Sequence, residues 1–368
     1  MPVMRAARLH EIGGQFSIDE VPVPQPATQD VQIKVSTCGI IPNLRNVVTH
    51  FPEWYPFLPL PALPAIFGLD AAGTVTAVGS GVSSFKVGDR VYVNPGIGCN
   101  DCHHCHAGQP TLCDAYTFMG YFGFGPGSQR VFERYPYAGY AEYMTANAAS
   151  LVRLPDTVGF KEASRFGYLG TAYSGLLKAR LEPSHSLLVM GASGTLGVGA
   201  VLLALAMGAS KIFAVARDPN ALERLQALAP GRVIPVAMQS GTIASQVRSI
   251  LPEGVDAMLD TLGAKAPAEL SVEGMSAVRR GGRIVQIGGV AGPIPIEPHP
   301  FMCQQLQYIG SLWFTTAEAQ QMVDMMGAGI LSLTGLDSHP YPLEQLNQAL
   351  EDIQTMGNGF TNFHIQHA

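Results

Sequence analysis

The stretch LLVMGASGTLG, residues 187–197, joins an apolar run to a glycine-rich turn. The run predicts a buried strand, and the helix-forming residues 196–207 predict a helix directly after the turn. Glycines in such a turn let the backbone approach a pyrophosphate, and the free N–H groups at the helix start attract its negative charge. We therefore predict a dinucleotide-binding turn. Its expected cofactor contacts are Gly191, Ser193, Gly194, Thr195, Leu196 and Gly197.

Strand and helix patterns continue to alternate after this turn. Strands are predicted over residues 211–216, 233–236, 255–259 and 283–288, and helices over 219–229, 243–251 and 265–278. Alternation at this spacing builds βαβ units, so the predicted fold class is α/β with a doubly wound parallel sheet. Residues 187–209 are long enough to span a bilayer, but the glycines in their first half favour strand, turn and helix instead.

A chain of 368 residues exceeds what one hydrophobic core usually serves. We therefore expect the rest of the chain to form a second, β-rich domain. Short strands are predicted over residues 31–35, 72–78 and 90–93, and C-terminal helices over 318–326 and 343–356. Five prolines predict that residues 51–64 are extended or loop. The aromatic-rich segment 116–143 is interrupted by Gly and Pro, which is typical of a long structured loop.

Composition narrows the class of protein. Apolar residues make up 47% and charged residues only 14%, which excludes a disordered chain and a coiled coil. The net charge is −6 and the basic residues are scattered, which argues against a nucleic-acid partner. The N-terminus has no apolar stretch of secretory length, so we expect a cytoplasmic protein that does not enter a membrane. The low charge also suggests that another subunit covers part of the surface.

Four of the six cysteines lie close together, at Cys99, Cys102, Cys105 and Cys113. Four thiolates from one loop can surround a tetrahedral Zn²⁺, and such a closed site is structural. Two disulfides are the alternative, but a cytoplasmic location disfavours them. We therefore expect one structural zinc, with the neighbouring histidines exposed to solvent.

The end of the second strand of the parallel sheet indicates which cofactor binds. An acidic residue there bonds the ribose 2′-hydroxyl of NAD, whereas an arginine accommodates the 2′-phosphate of NADP. Ala216 occupies the expected acidic position and Arg217 follows it, which favours NADP(H) over NAD(H). The alternative is that Asp218 contacts the ribose while Arg217 points to solvent. Further along, Gly288 and Gly289 are predicted to approach the nicotinamide.

Several further motifs extend the pattern beyond the turn and the cysteines. They are Ala71-Ala72-Gly73-Thr74-Val75, Val87-Gly88-Asp89-Arg90-Val91, Ala141-Glu142-Tyr143 and Gly281-Gly282-Arg283-Ile284-Val285. Together these features resemble the zinc-containing alcohol dehydrogenases of the medium-chain dehydrogenase/reductase superfamily, over essentially the whole chain. The resemblance implies a GroES-like catalytic domain over residues 1–166 and 316–368, with a zinc lobe near 95–115, and a Rossmann domain over 167–315. It also implies hydride transfer to or from NAD(P), a structural and a catalytic zinc, and a homodimer or homotetramer.

The residues that hold the catalytic zinc in this family are largely replaced here. Cys38 matches the first ligand, but Ile40 and Ile41 follow Cys38-Gly39 where the resemblance places a hydroxyl residue and an Asp. Asn43 stands in the place of the proton-relay histidine. Leu69 replaces the imidazole of the second ligand, and Gly167 stands at the third ligand position.

Only Cys38 and the carboxylate of Asp70 remain as potential zinc ligands at this centre. A catalytic zinc needs three protein ligands and one open position. We therefore expect the catalytic zinc to be absent. The alternative is that another residue, such as His50, replaces the missing imidazole.

The chemistry expected without this metal is reduction of a bond that is already polarised, because no Lewis acid is available to activate an alcohol. We expect NADPH to reduce a C=C, C=N or C=O bond. Tyr168 is the preferred proton donor, with packing in the cleft wall as its alternative. The candidate catalytic residues are Tyr168, Cys38, Asp70 and Asn43, and Thr171 is a further candidate cofactor contact.

The substrate expected for this site is bulky and apolar or aromatic. The candidate pocket residues are Trp54, Tyr55, Phe57, Leu69, Tyr121 and Phe122. For the aromatic residues, packing that anchors the loops is the alternative. Two other functions stay open: a zinc-dependent alcohol dehydrogenase with replaced metal ligands, and a non-enzymatic NADP-binding scaffold.

Overall fold

The computed structural model describes residues 2–367. Its strands are β1 Val3–Leu9, β2 Phe16–Pro22, β3 Asp30–Gly39, β4 Ala65–Ile66, β5 Ala71–Val78, β6 Arg90–Val93, β7 Gly96–Ile97, β8 Thr117–Phe118, β9 Tyr143–Asn147, β10 Leu151–Arg153, β11 Ser186–Met190, β12 Lys211–Ala216, β13 Val233–Ala237, β14 Val255–Asp260, β15 Val278–Gln286, β16 Gln307–Gly310, β17 Asp337–Tyr341 and β18 Thr361–Gln366. Its helices are α1 Leu44–Trp54, α2 His103–His106, α3 Ser128–Arg134, α4 Phe160–Ala163, α5 Phe166–Lys178, α6 Thr195–Ala206, α7 Pro219–Leu228, α8 Ile243–Arg248, α9 Glu269–Met275, α10 Pro298–Cys303, α11 Thr316–Gly327 and α12 Leu346–Met356. Short 3-10 helices cover Pro110–Leu112, Ala148–Ser150 and Leu343–Gln345.

Strands β11 to β16 form one parallel sheet in the order β13-β12-β11-β14-β15-β16. The chain builds outward from β11 to β13, crosses back to β14, and then builds outward on the other side. The strand order therefore reverses beside β11, and ligands of open α/β sheets bind at the carboxyl ends of strands at such a point. The predicted doubly wound parallel sheet is confirmed, and its glycine-rich turn follows β11 directly.

A second sheet combines the beginning and the end of the chain. Its order is β10-β6-β5-β3-β18-β17, and β9 also pairs with β3. Strand β18 runs antiparallel to β3, with Cys38 opposite Ile365. The C-terminal strands therefore belong to the sheet of the N-terminal region and not to the parallel sheet. Smaller sheets are formed by β2-β1-β4 and by β7-β8.

The apolar stretch 187–209 is divided between β11, the turn and α6. This division is the one predicted from its glycines. Within residues 2–367, no helix has both the length and the apolar character needed to cross a bilayer.

Helix α1 corrects the prediction that residues 51–64 are extended or loop, because 51–54 are helical. Four apolar side chains at helical spacing are buried on one face of α1: Leu44, Val47, Val48 and Phe51. Pro52 removes one backbone donor near the end of this helix, but the packing of the buried face outweighs that loss. Residues 55–64 have the irregular conformation that the prolines predicted, apart from turns.

Segment 116–143 contains short elements in addition to the predicted loop. Strand β8 pairs with β7, and α3 follows it. The rings of Phe118, Phe122 and Phe124 pack together, with centroids 4.9–5.4 Å apart. Aromatic packing therefore anchors this segment. The predicted helix over 265–278 is shorter in the structure, where α9 spans Glu269–Met275 and β15 begins at Val278.

Candidate active site

A cavity of about 340 Å³ opens beside the glycine-rich turn. On the parallel-sheet side it is lined by Ser193, Gly194 and Thr195. The rest of the lining comes from residues 39–42, from Asp70, from the start of α5 and from parts of 353–363. The cavity thus joins the predicted cofactor turn to the predicted catalytic centre.

The glycine-rich turn has the backbone geometry that phosphate binding requires. Gly191 has a φ of +71°, a left-handed conformation that favours glycine. The first hydrogen bond of α6 runs from the Val198 N–H to the Gly194 carbonyl. The preceding N–H groups of α6 are therefore not used within the helix and are available to an anion. Among the predicted turn contacts, Ser193, Gly194 and Thr195 line the cavity, whereas Gly191, Leu196 and Gly197 lie outside its lining.

Arg217, the predicted contact of the 2′-phosphate, directly follows β12 and is exposed to solvent. Ala216 is buried, whereas Arg217 and Asp218 are exposed. The Asp218 carboxylate accepts a hydrogen bond of 3.0 Å from the Asn220 N–H and so caps α7. Asp218, the alternative ribose contact, therefore already has a structural role.

The remaining predicted cofactor contacts lie apart from the cavity. The Thr171 hydroxyl donates a hydrogen bond of 2.7 Å to the Gly167 carbonyl in its own helix. Gly288 follows β15, and its N–H donates to the Asp260 carbonyl at 2.9 Å. A Cβ at Gly288 would lie 2.3 Å from the Leu262 carbonyl oxygen, whereas Gly289 faces open space. These three cofactor contacts stay predictions.

Asp70 is buried beside the cavity and is partnered by Tyr92. The fully buried Tyr92 hydroxyl donates a hydrogen bond of 2.7 Å to the Asp70 carboxylate. Burial raises the pKa of Asp70 to about 7, although the bonds from Tyr92 and the Gly167 N–H and the charge of Arg165 oppose that rise. Asp70 is thus held as a carboxyl group that titrates near neutrality.

The position predicted for the third zinc ligand is filled by neighbouring side chains. A Cβ at Gly167 would lie 2.5 Å from one Asp70 carboxylate oxygen and 2.8 Å from the Trp313 ring. Trp313 is held there because its indole N–H donates to the Asn94 side-chain oxygen at 2.9 Å. A larger residue at 167 would require Asp70 or Trp313 to move. Leu69, at the second ligand position, is buried.

The other candidate catalytic residues differ in their access to the cavity. Cys38 is fully buried, and burial together with Asp70 raises the pKa of its thiol. Asn43 is exposed at the start of α1, and its side-chain oxygen accepts a hydrogen bond of 2.9 Å from Asn46. Neither residue is part of the cavity lining, whereas Tyr168 is. Burial and the nearby Tyr121 and Asp70 raise the pKa of Tyr168, so its phenol is neutral at physiological pH.

The candidate pocket aromatics lie outside this cavity lining. Trp54 is 51% exposed and stacks on His50, with ring centroids 4.6 Å apart. Phe57 is 66% exposed, and Tyr55 packs against Phe51 at 5.0 Å. Tyr121 and Phe122 are buried and pack against each other at 4.7 Å. Together with Leu69 they stay predictions, and loop anchoring describes the packing of Tyr121 and Phe122.

Arg165 is a cavity residue that the sequence interpretation missed. It is only 4% exposed, and it immediately precedes α5. Its side chain donates hydrogen bonds to the carbonyl oxygens of Gly359 and Thr361. A charged residue between Ala163 and Phe166 was the available signal, but an isolated arginine at a helix start is ordinarily exposed.

The four predicted zinc-binding cysteines come together. The thiol sulfurs of Cys99, Cys102, Cys105 and Cys113 all lie within 4.8 Å of one another. Backbone N–H groups of Cys99 and Ala115 donate to the Cys113 sulfur at 3.3 Å, and a bond from the Asp101 N–H lowers the pKa of Cys99 to about 7. Four convergent sulfurs with backbone donors fit a tetrahedral zinc, which would stabilise this loop.

The neighbouring histidines and His50 stand apart from this cluster. Within residues 2–367, only the four cysteines form a group of three or more potential metal-binding side chains whose ligand atoms lie close together. His103 and His106 are exposed as predicted, whereas His104 is half-buried.

Comparison with known proteins places the chain in a family. The alcohol dehydrogenase GroES-like domain matches residues 27–156, and the zinc-binding dehydrogenase domain matches residues 195–328. An alcohol dehydrogenase of Moraxella sp. (strain TAE123) is 30% identical over 353 residues, which cover 95% of this chain and 96% of that protein. The chain belongs to the zinc-containing alcohol dehydrogenase family. This membership confirms the predicted resemblance, including the GroES-like and Rossmann folds and an enzyme of the alcohol dehydrogenase type.

Solved structures agree with this membership of the alcohol dehydrogenase family. The alcohol dehydrogenase TADH from Thermus sp. ATN1 is 26% identical, with a TM-score of 0.82 over 99% of this chain and 100% of that one. A zinc-binding dehydrogenase from Sinorhizobium meliloti 1021, solved bound to NADP, is 22% identical, with a TM-score of 0.81 over 100% of both chains. The latter likeness concerns the fold alone.

We predict that the purified alcohol dehydrogenase homologue contains about one zinc per chain, because the four-cysteine cluster supplies a complete ligand set. Replacing a ligand in Cys113→Ser should remove the zinc and lower the melting temperature. Metal content by plasma mass spectrometry and thermal unfolding would measure both. The exposed Cys303→Ser variant is the matched control and should keep its zinc. A metal-free wild-type protein would contradict the assignment.

Proposed function

We propose that this enzyme uses NADPH to reduce a polarised C=C, C=N or C=O bond of an apolar or aromatic small molecule, without a catalytic zinc. The observation that carries the proposal is the packing at the family's catalytic metal position. There Asp70 bonds Tyr92, and Gly167 leaves room only for the Asp70 carboxyl group and the Trp313 ring. The described residues of this cavity lining include no histidine and no cysteine that could replace the missing ligands.

The residues of the cavity can supply the proton that such a reduction needs. A bound NADPH would supply the hydride to one end of the polarised bond. Tyr168 lines the cavity as a neutral phenol and can donate its proton to the other end. The product then contains one hydride and one proton more than the substrate, and Tyr168 regains its proton from water through the open cavity.

The cavity lining supports an apolar substrate. Ile40 and Ile41 occupy positions where the family motif carries polar residues, and Phe363 adds a ring. These three side chains give an apolar or aromatic substrate a surface to pack against. Asp70 is the only carboxyl group among the described lining residues, and its hydrogen bond from Tyr92 occupies one of its oxygens.

We expect wild-type enzyme to oxidise NADPH with at least one class in a panel of enones, quinones, imines and aldehydes. Tyr168→Phe should lower kcat about 100-fold with little change in KM, because a positioned general acid contributes roughly 10²–10⁴-fold. Steady-state kinetics measured by NADPH absorbance would show the effect. Tyr173→Phe is the matched control, since it removes a hydroxyl of the same helix that bonds Gln321 at 3.1 Å.

Three results would contradict the proposed reaction. Tyr168→Phe with wild-type kcat would exclude the donor. Two zincs per chain would favour a zinc-dependent alcohol dehydrogenase with replaced ligands. No turnover of any panel member despite tight NADPH binding would favour an NADP-binding scaffold.

We propose that the cofactor is NADP(H) in preference to NAD(H). The exposed Arg217 can reach a 2′-phosphate, while Asp218 is engaged as the helix cap of α7. The NADP bound to the structurally similar Sinorhizobium meliloti protein is consistent with this choice.

Arg217→Ala should weaken NADPH binding about tenfold and leave NADH binding nearly unchanged, because it removes a charge-assisted bond to the 2′-phosphate alone. Dissociation constants from fluorescence titration would measure both. Arg130→Ala changes net charge equally from an exposed position on α3 and should have no effect. An equal loss for NADPH and NADH would contradict the assignment.

We propose that the chain forms a homodimer or homotetramer through the β16 edge of the parallel sheet. Strand β16 has one neighbouring strand, and its unpaired edge can pair with a second copy. Two apolar side chains close to β16 along the chain are exposed: Met302 in α10 at 64% and Leu312 at 39%.

Light scattering should give the mass of two or four chains. The double variant Met302→Lys and Leu312→Lys should shift the mass towards one chain, because it places charge on an apolar interface. Ile12→Lys, which alters another exposed apolar residue, should keep the wild-type mass. A monomeric wild-type protein, or a double variant of unchanged mass, would contradict this interface.

A further inference from the structure

Within residues 2–367, Arg165 is a buried cation that makes no hydrogen bond or salt bridge to a carboxylate. Its two bonded groups, the carbonyl oxygens of Gly359 and Thr361, are neutral. Its Nε atom is buried and has no hydrogen-bond partner among residues 2–367. Asp70 acts on it only at longer range, through charge and without a hydrogen bond. A buried charge that lacks a counterion is costly, so this guanidinium is expected to receive an anion.

The place of Arg165 in the cavity indicates which anion. It is the only cationic side chain among the described residues of the lining, and Ser193, Gly194 and Thr195 line the same cavity. The turn and the start of α6 offer N–H groups to a phosphate. A guanidinium adds planar, bidentate bonds to phosphate oxygens, which backbone groups cannot supply. The N–H groups of the turn and the Arg165 guanidinium can therefore bind the same phosphate-bearing ligand.

Loop 357–361 connects Arg165 with the turn. The Gly359 N–H donates a hydrogen bond of 3.0 Å to the Ser193 carbonyl. A Cβ at Gly359 would lie 2.3 Å from that carbonyl oxygen and 2.6 Å from the Gly194 oxygen, so the two backbones touch. Arg165 holds the same loop through the carbonyl of Gly359. A ligand bound between the guanidinium and the turn would therefore also order loop 357–361.

We propose that Arg165 binds the pyrophosphate of the dinucleotide and couples its binding to loop 357–361. The cation comes from the start of α5, outside the parallel strands that carry the turn. This inference rests on the proposed use of a dinucleotide cofactor, but not on the reaction that the cofactor performs. A substrate carboxylate is the competing ligand, and the shared cavity with the turn favours the pyrophosphate.

The test compares four ligands by calorimetry on the full-length protein: NADPH, NADH, ADP-ribose and adenosine 2′-monophosphate. Arg165→Gln should weaken the first three by about 10- to 100-fold, because each contains the pyrophosphate and a charge-assisted bond is lost. Adenosine 2′-monophosphate lacks a pyrophosphate and should bind as to wild type. Arg217→Ala should show the opposite pattern, with adenosine 2′-monophosphate and NADPH weakened and ADP-ribose unchanged.

Arg165→Lys keeps the charge but not the planar fork and should lie between wild type and Arg165→Gln. It also keeps the test usable if Arg165→Gln does not fold. Hydrogen exchange adds a structural readout: ADP-ribose should protect residues 357–361 in wild type but not in Arg165→Gln.

Unchanged affinity for ADP-ribose in both Arg165 variants would overturn the proposal. So would a variant whose KM for substrate rises while dinucleotide affinity stays constant, since that result places a substrate anion on Arg165. Wild-type protein that binds none of the four ligands would remove the dinucleotide premise. An absence of substrate turnover, by contrast, would count against the proposed reaction and leave these binding results intact.

Discussion

The hydrogen bond between the Tyr92 hydroxyl and the buried Asp70 carboxyl group is the interaction on which the proposed chemistry of this enzyme depends. A carboxyl group removed from water requires a partner, and Tyr92 supplies it at 2.7 Å. The pair is closed in by the Trp313 ring and by Gly167, where even a methyl group would collide. The side chains that line the adjacent cavity include Tyr168, the proposed proton donor, and Arg165, the proposed pyrophosphate contact.

The chain keeps the family fold, and the proposed difference from the family lies in the reactive centre. The parallel sheet, the glycine-rich turn and the four-cysteine cluster follow the pattern of the zinc-containing alcohol dehydrogenases. The charged side chains that line the cavity are Asp70, which is bonded by the buried Tyr92, and Arg165. Fold and cofactor class follow from family membership, whereas the reaction must be argued from these side chains.

The sequence predicted best those features whose signal lies within one short, continuous segment. Strand and helix alternation, the turn at 191–197 and the cysteine spacing each lie within a short segment. Helix α1 was missed at 51–54 because prolines dominated the local signal, while burial of Leu44 to Phe51 decided the conformation. The candidate aromatics were grouped by composition, yet Trp54 and Phe57 face solvent while Tyr121 and Phe122 are core.

The doubly wound sheet, the glycine-rich turn, the cysteine cluster and the replacement of the metal-ligand residue types can all be recognised in the amino-acid sequence. Three contacts become visible in three dimensions: Tyr92 faces Asp70, Trp313 fills the space beside Gly167, and Arg165 is buried against residues 359–361. These contacts cannot be read from the sequence because their partners lie far apart along the chain. Periodicity and turn chemistry act between neighbours, whereas the partner of a buried charge is set by which distant backbones come into contact, as Gly359 does with Ser193.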